Sequence, residues 1–94
     1  MDKAEARVIA LARVRELREL SWAELRERYL DREEHADVTG PSATTYQVET
    51  LAFWDDREEG DLRVLVAVDD GGWAAFSPLA EGFIIAPDGR FVGE

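Results

Sequence analysis

The sequence predicts an α+β fold, in which two N-terminal helices, or one long bent helix, pack on a four- to five-stranded antiparallel meander. Three observations lead to this prediction: the hydrophobic period changes from helical to strand-like after residue 36, the two kinds of segment do not alternate, and acidic residues concentrate in the second part. Helices followed by strands are typical of α+β domains. We expect a single domain over residues 1–94, with a helical layer over 1–36 and an antiparallel sheet over 44–94.

The first helix is predicted over residues 2–20, which are rich in Ala, Leu, Arg and Glu and contain no Gly or Pro. At about 100° per residue, one sector collects Ile9, Ala10, Val14, Leu17 and Leu20. Arg13 lies in the same sector, so it must reach solvent or find an acidic partner. Val8, Leu11 and Ala12 lie outside the sector, which predicts that the early turns are covered on two sides.

A second helix is predicted from Trp22 to about Arg32. The apolar stripe moves to a new face after Ser21, where it consists of Trp22, Leu25 and Tyr29. Ser21 and Glu24 form an S-x-x-E capping box, in which hydroxyl and carboxylate satisfy amides at a helix start. The chain therefore bends or breaks at Leu20–Ser21; one long helix with two contact surfaces is the alternative.

After residue 44 apolar and polar residues alternate, which predicts strands. The predicted strands span Thr45–Trp54, Leu62–Asp69, Trp73–Ser77, Phe83–Ala86 and Arg90–Val92. Loops are predicted over residues 37–43, 55–61 and 78–82, with tight turns at Asp70–Gly72 and Pro87–Gly89.

Several short strings punctuate this region. They are GPS at 40–42, YQVE at 46–49, FWDD at 53–56, LRV at 62–64, DDGGW at 69–73 and APDG-x-FVGE at 86–94. In these strings, and more loosely over residues 21–25, the chain resembles a set of short uncharacterised proteins of bacteria and archaea. The resemblance covers most of the chain outside the first helix, and it implies no assigned activity, cofactor or catalytic residue.

Charge and composition exclude several classes of function. The net charge is −10; residues 1–36 carry eight basic and nine acidic residues, and residues 37–94 carry three basic and twelve acidic residues. Such a surface repels phosphate, so we expect no nucleic-acid partner. The absence of cysteine excludes disulfides, thiolate nucleophiles and Cys metal sites. No apolar run matches a signal peptide or a membrane span, which predicts a cytoplasmic protein without a membrane partner.

Catalytic and metal-binding patterns are weak. His35 is the only histidine, and Ser42 and Asp37 lie near it in sequence, but no G-x-S-x-G elbow surrounds Ser42. Acidic residues cluster with His35 at residues 33–37 and again at 55–61, but Arg57 breaks the calcium-loop pattern in the second cluster. We therefore predict no catalytic residue, no metal ligand and no cofactor; whether the chain is an enzyme stays open, with a non-enzyme favoured.

Both faces of the predicted sheet are partly apolar, and helices can cover only one of them. The other face needs the C-terminal hairpin, a second subunit or a ligand. The sequence therefore favours a small acidic interaction module, homodimeric, with a basic protein as a further partner. The alternative is a small-ligand or catalytic pocket between helices and sheet, lined by aromatic residues. Its predicted ligand-binding residues are Tyr46, Glu49, Trp54 and Trp73.

Overall fold

Two helices come first in the computed structural model, and four antiparallel strands follow them in the part of the chain that it describes, residues 1–72 and 77–94. The elements are α1 (Lys3–Leu17), α2 (Trp22–Tyr29), β1 (Glu34–Thr39), β2 (Thr45–Trp54), β3 (Leu62–Asp69) and β4 (Leu79–Ile85). Strands that are neighbours in sequence are neighbours in the sheet, and each pair is antiparallel. The predicted α+β meander is confirmed.

The predicted break between the helices is also confirmed. The Ser21 hydroxyl accepts a hydrogen bond from the Glu24 amide at 3.1 Å, and the Glu24 carboxylate accepts one from the Ser21 amide at 3.1 Å. The bond from the Ser21 amide, together with the nearby Ser21 hydroxyl, lowers the pKa of the Glu24 carboxyl. α1 already ends at Leu17, so the alternative of one long helix is wrong. No helix in the described ranges is long and apolar enough to cross a membrane.

The helices cover one face of the sheet, with α1 over β3 and β4 and α2 over β2 and β3. The alternation predicted for β2 and β3 is confirmed, because every second residue of these strands is buried beneath the helices. The fully buried side chains that fill this layer include Leu17, Leu25, Tyr46, Leu62, Val64, Val66, Val68 and Ile85. We call this side of the sheet the inner face and the opposite side the outer face.

The predicted second helix is too long, and the predicted loop over residues 37–43 is wrong in part. α2 ends at Tyr29, because Leu30 adopts an extended conformation and Asp31 a left-handed one with φ of +56°. Residues 34–39 then form β1 rather than the end of the helical layer and the start of a loop. All six residues of β1 are exposed; its alternation is short, with only Ala36 and Val38 as apolar residues between polar ones. Pairing with β2 decides its conformation.

The C-terminal residues follow the predicted turn but form a shorter ladder than predicted. The Ala86 amide donates to the Arg90 carbonyl at 2.8 Å, and Gly89 has a φ of +91°. Beyond the turn, Phe91 makes only an isolated bridge to Ile85, so the predicted strand over residues 90–92 is wrong. The preceding strand, β4, begins earlier than predicted, at Leu79. Most of the predicted third strand, residues 73–76, lies outside the described residues.

Candidate interaction surfaces

Neither α1 nor α2 lies over the outer face of the sheet. Register brings Leu51, Leu65 and Gly82 into one row across β2, β3 and β4, and Phe53, Arg63 and Ile84 into the next. Ala67 and Ala80 extend the apolar area in a third row beside Glu49. Phe53 keeps 39% of its surface exposed, and Leu51, Leu65 and Ile84 are only half-buried. We call the apolar residues Leu51, Phe53, Leu65, Ala67 and Ile84 the outer apolar patch.

The C-terminal segment does not cover this patch, although the sequence left that possibility open. Phe91 packs edge-on against Phe83 of the inner face, with ring centroids 5.6 Å apart and planes at 82°. The Arg18 guanidinium lies 3.9 Å from the centroid of the Phe91 ring and donates to the Glu94 carboxylate at 2.8 Å. The hydrogen bonds that the Arg18 guanidinium donates to both carboxylate oxygens lower the pKa of Glu94. Phe91 is therefore held on the helix side of β4, whereas Val92 and Glu94 lie at the β4 edge, where they line a shallow pocket with Leu65, Gly82 and Ile84. The segment borders the patch without covering Leu51, Phe53 or Ala67.

A second open surface lies where β1 extends beyond the helical layer. Between α1 and β1 runs a groove of about 390 Å³. Its walls are mainly apolar, and its lining residues are Val8, Ile9, Ala12, Arg13, Glu16, Glu34, Ala36, Val38, Val48 and Thr50. We call it the α1–β1 groove. The sequence did not predict this groove. The apolar residues Val8 and Ala12, which lie outside the main stripe of α1, indicated a second contact surface, and both line the groove.

Polar contacts clamp β1 to α1 at both ends of this groove. At one end the Ser42 hydroxyl, in the β1–β2 loop, donates to Glu5 of α1 at 2.7 Å. At the other end Arg13 donates to Glu34 at 2.8 Å. Two pairs of polar residues therefore join the walls of an otherwise apolar groove and fix the distance between them. Ser42 is occupied by Glu5 and does not contact His35.

Arg13 finds the acidic partner that the sequence required, and it joins four elements. Besides Glu34 of β1, its guanidinium donates to the Tyr29 hydroxyl of α2 at 2.9 Å and to the Thr50 hydroxyl of β2 at 3.3 Å. Glu16, one turn further along α1, accepts from it at 3.4 Å. The side chain is mostly shielded from solvent, which strengthens hydrogen bonds made by a charged group.

Tyr46 is fully buried on the inner face of β2, and its hydroxyl has no hydrogen-bond partner among the described residues. Burial raises the pKa of the Tyr46 phenol, and the negative charge of Glu5 adds to the rise. The Glu5 carboxylate is nevertheless near enough to raise the pKa of the Tyr46 phenol by hydrogen bonding as well as by charge, although no bond of ordinary length and angle is formed. Tyr46 therefore belongs to the packed core, where its weakly bonded hydroxyl gains little in return for its lost hydration.

Replacing Tyr46 with phenylalanine is expected to leave the protein at least as stable at pH 7. In the wild type, unfolding lets the phenol ionise near its ordinary pKa of about 10, so the raised folded-state pKa costs stability as the pH rises above that value. Tyr46→Phe removes this part of the alkaline loss. Urea unfolding at pH 7 and at pH 11 measures both effects.

The matched control is Tyr29→Phe, because the Tyr29 hydroxyl accepts a hydrogen bond from Arg13. That variant is expected to lose about 2 kcal/mol, the typical contribution of a hydrogen bond to a charged group. Equal losses in the two variants at pH 7 would show that the Tyr46 hydroxyl has a partner after all.

Glu49 lies on the outer face of β2, opposite His35 of β1. The His35 imidazole is 3.4 Å from the Glu33 carboxylate through Nε2 and 4.0 Å from the Glu49 carboxylate through Nδ1. These three residues are close enough to approach a common cation, but His35 and Glu33 are largely exposed and each imidazole nitrogen faces a different carboxylate. Glu34, which belongs to the acidic cluster at residues 33–37, points to the inner face and accepts a hydrogen bond from Arg13.

The three predicted ligand-binding residues that the structure describes are not gathered at one point. Tyr46 and Glu49 point to opposite faces of β2, so a ligand between helices and sheet cannot touch both. Trp54 lies at the far end of β2, against Trp22 with ring centroids 6.0 Å apart. Trp22 donates to the Gly60 carbonyl at 3.0 Å, which fixes this aromatic pair to the β2–β3 loop. Trp73 lies outside the described residues.

The acidic loop over residues 55–61 is partly neutralised by arginines. Arg63 donates to Asp55 at 2.7 Å and 3.0 Å, and Arg26 of α2 donates to Glu59. The Asp55 amide donates to the Asp61 carbonyl at 3.0 Å, which closes the loop as the hairpin that the sequence predicts. Asp55 and Glu59 of this loop therefore form ion pairs within the protein.

Protein-family models, curated proteins and solved structures contain no match to this chain. The resemblance to short bacterial and archaeal proteins stays a prediction. Function must therefore be argued from the two open surfaces and from the charge of the chain.

Proposed function

We propose that the protein is a small acidic interaction module, which forms a homodimer through the outer apolar patch and binds a basic protein partner. The observation that carries the dimer is the uncovered outer face: its apolar side chains are contiguous across three strands, and the C-terminal segment only borders them. Contiguous exposed apolar surface of this kind is typical of protein–protein interfaces.

A second copy fits the patch because a two-fold axis lets the same residues meet themselves. The centre of the patch consists of Leu51, Leu65 and Phe53, and the nearest acidic residue in the rows, Glu49, lies toward the β1 side. Arg63, which lies within the patch, has Asp55 as its partner and brings no unpaired charge to the interface. Two such faces can therefore pack without burying an isolated ion.

The basic partner follows from the charge of the chain. With a net charge of −10, the protein attracts cationic surfaces over a Debye length and repels anionic ones. The two associations respond to salt in opposite directions. Added salt screens the repulsion between two anionic copies and strengthens the dimer, whereas it weakens the attraction to a basic partner.

Phe53→Glu is expected to dissociate the dimer. An anchor residue of an interface contributes 2 kcal/mol or more, so the dissociation constant should rise at least about thirtyfold. The control is Leu11→Glu, which introduces the same charge at a leucine that is 44% exposed on the helical side of the molecule. Sedimentation equilibrium of the three proteins at low and high salt measures the effect.

The expected result is a dimer for the wild type and for Leu11→Glu, and a monomer for Phe53→Glu at the same concentration. A wild type that stays monomeric up to about 0.1 mM, far above a typical micromolar affinity, would overturn the dimer. Equal effects of the two variants would show that added negative charge, rather than the outer apolar patch, controls the association.

A further inference from the structure

We infer that β1 is the docking edge for an extended segment of the basic partner, in which apolar and basic residues alternate, and that this segment adds to the sheet as a fifth strand. The inference rests on the basic-partner part of the proposed function and assigns it a place and a mode of binding. Three features of the β1 edge support it: free backbone groups, an apolar side and an acidic side.

Every second residue of β1 has backbone N–H and C=O groups that do not bond to β2. The Gly40 amide donates to the Thr44 carbonyl at 2.9 Å, which marks this pair of the β1–β2 hairpin as hydrogen-bonded. Hydrogen-bonded and non-bonded pairs alternate along an antiparallel ladder. Ala36 and Val38 therefore bond to β2, whereas His35, Asp37 and Thr39 turn their N–H and C=O groups to the open edge.

The two sides of β1 differ in chemistry. Ala36 and Val38 point to the side where the α1–β1 groove opens, and the exposed Val8 of α1 lies on the same groove. On the other side, His35 lies beside the carboxylates of Glu33 and Glu49, and Asp37 adds a third carboxylate next along the strand. A strand added at this edge would therefore place one set of side chains against apolar residues and the alternate set against carboxylates.

The negative charge at the β1 edge favours a basic segment over a second copy of the chain. A second copy of the chain would bring the same carboxylates and a net charge of −10 to this edge, and acidic residues on edge strands act against such pairing. A strand with Lys or Arg on the carboxylate side and Val or Ile on the groove side meets both surfaces with the complementary chemistry. The clamps Ser42–Glu5 and Arg13–Glu34 hold β1 in place before any partner arrives, which lowers the ordering cost of binding.

The test uses two capped peptides of about seven residues and identical composition, one with alternating Lys and Val and one with Lys and Val in separate blocks. Isothermal titration of the full chain should show the alternating peptide binding at least about tenfold more tightly, a difference near 1.4 kcal/mol, and more weakly as salt rises. Phe53→Glu should keep the preference for the alternating peptide, because Phe53 lies beyond the end of the β1–β2 pairing.

Backbone pairing is tested with two substitutions at one residue. Asp37→Pro removes the outward N–H together with the charge, whereas Asp37→Ala removes the charge alone; proline is tolerated on the free side of an edge strand. Asp37→Pro should abolish the tenfold preference for the alternating peptide, and Asp37→Ala should keep it. In the wild type, the alternating peptide should slow amide exchange at His35, Asp37 and Thr39, a readout that does not depend on either variant folding.

Each outcome has a definite meaning. Equal binding of both peptides, without protection of the three amides, would overturn strand addition and leave the basic-partner proposal intact. Binding of neither peptide would overturn the strand addition and count against the basic partner as well. A dimer that persists in Phe53→Glu and protects the same three amides without peptide would show that a second copy occupies the edge, which would also overturn the inference.

Discussion

Gly82→Ala is expected to lower the free energy of unfolding by about 3 kcal/mol, at the upper end of the usual cost of overpacking. A Cβ atom at residue 82 would lie 2.3 Å from the carbonyl oxygen of Val64 and 3.4 Å from the Cα atom of Leu65. Both are backbone atoms of the central strand β3, whose neighbours on either side hold it in register. The clash can be relieved only by moving β4 away from β3.

The matched control is Gly72→Ala. Among the described residues, a Cβ atom there would meet the Asp70 carboxylate alone, at an ordinary contact distance of 3.4 Å. Because alanine restricts the unfolded chain more than glycine does, this variant should be unchanged or more stable by up to about 1 kcal/mol. Urea unfolding at one fixed protein concentration measures both. If Gly82→Ala matches Gly72→Ala, the close approach of β4 to β3 is incorrect.

Leu25→Ala is expected to cost about 4 kcal/mol, within the range for truncating a large buried side chain and leaving a cavity. Leu25 is 0% exposed and is the central apolar contact of α2. α2 has only eight residues, too few to persist in water without tertiary contacts. We therefore expect the variant to lose the docking of α2 as well as core packing.

Two measurements separate these consequences. Urea unfolding gives the loss in free energy, and amide exchange shows whether α2 opens while β2 and β3 stay protected. The control is Leu11→Ala, because that leucine is 44% exposed and should change the free energy of unfolding by less than about 0.5 kcal/mol. If the two leucines cost the same, α2 is not held to the sheet through Leu25.

The prediction of β2 and β3 succeeded for a simple physical reason. Each strand has one buried face, so apolar residues occur at every second position of its sequence. β1 has no buried face, and its period of two is limited to Ala36 and Val38 between polar residues. This short pattern was missed beside the acidic cluster at residues 33–37, and the strand conformation is set by hydrogen bonds to β2.

The candidate surfaces divide in the same way. The apolar outer side chains of β2 and β3 were visible in the sequence, but only the position of Phe91 shows that the C-terminal segment does not cover them. The α1–β1 groove was signalled by Val8 and Ala12, but it requires β1 as its second wall. Tyr46 and Glu49 looked like neighbours in one pocket, although their odd separation of three residues along β2 already places them on opposite faces.

By itself the sequence determined the α+β class with its helices first, the cap at Ser21, the faces of β2 and β3 and the anionic character of the chain. Each of these depends on residues that are near one another along the chain or on composition alone. Only the tertiary structure decided that Arg13 joins four elements, that β1 forms an open edge, and that His35 lies beside Glu49. These contacts join residues distant in sequence, and their geometry is set by strand pairing and helix packing.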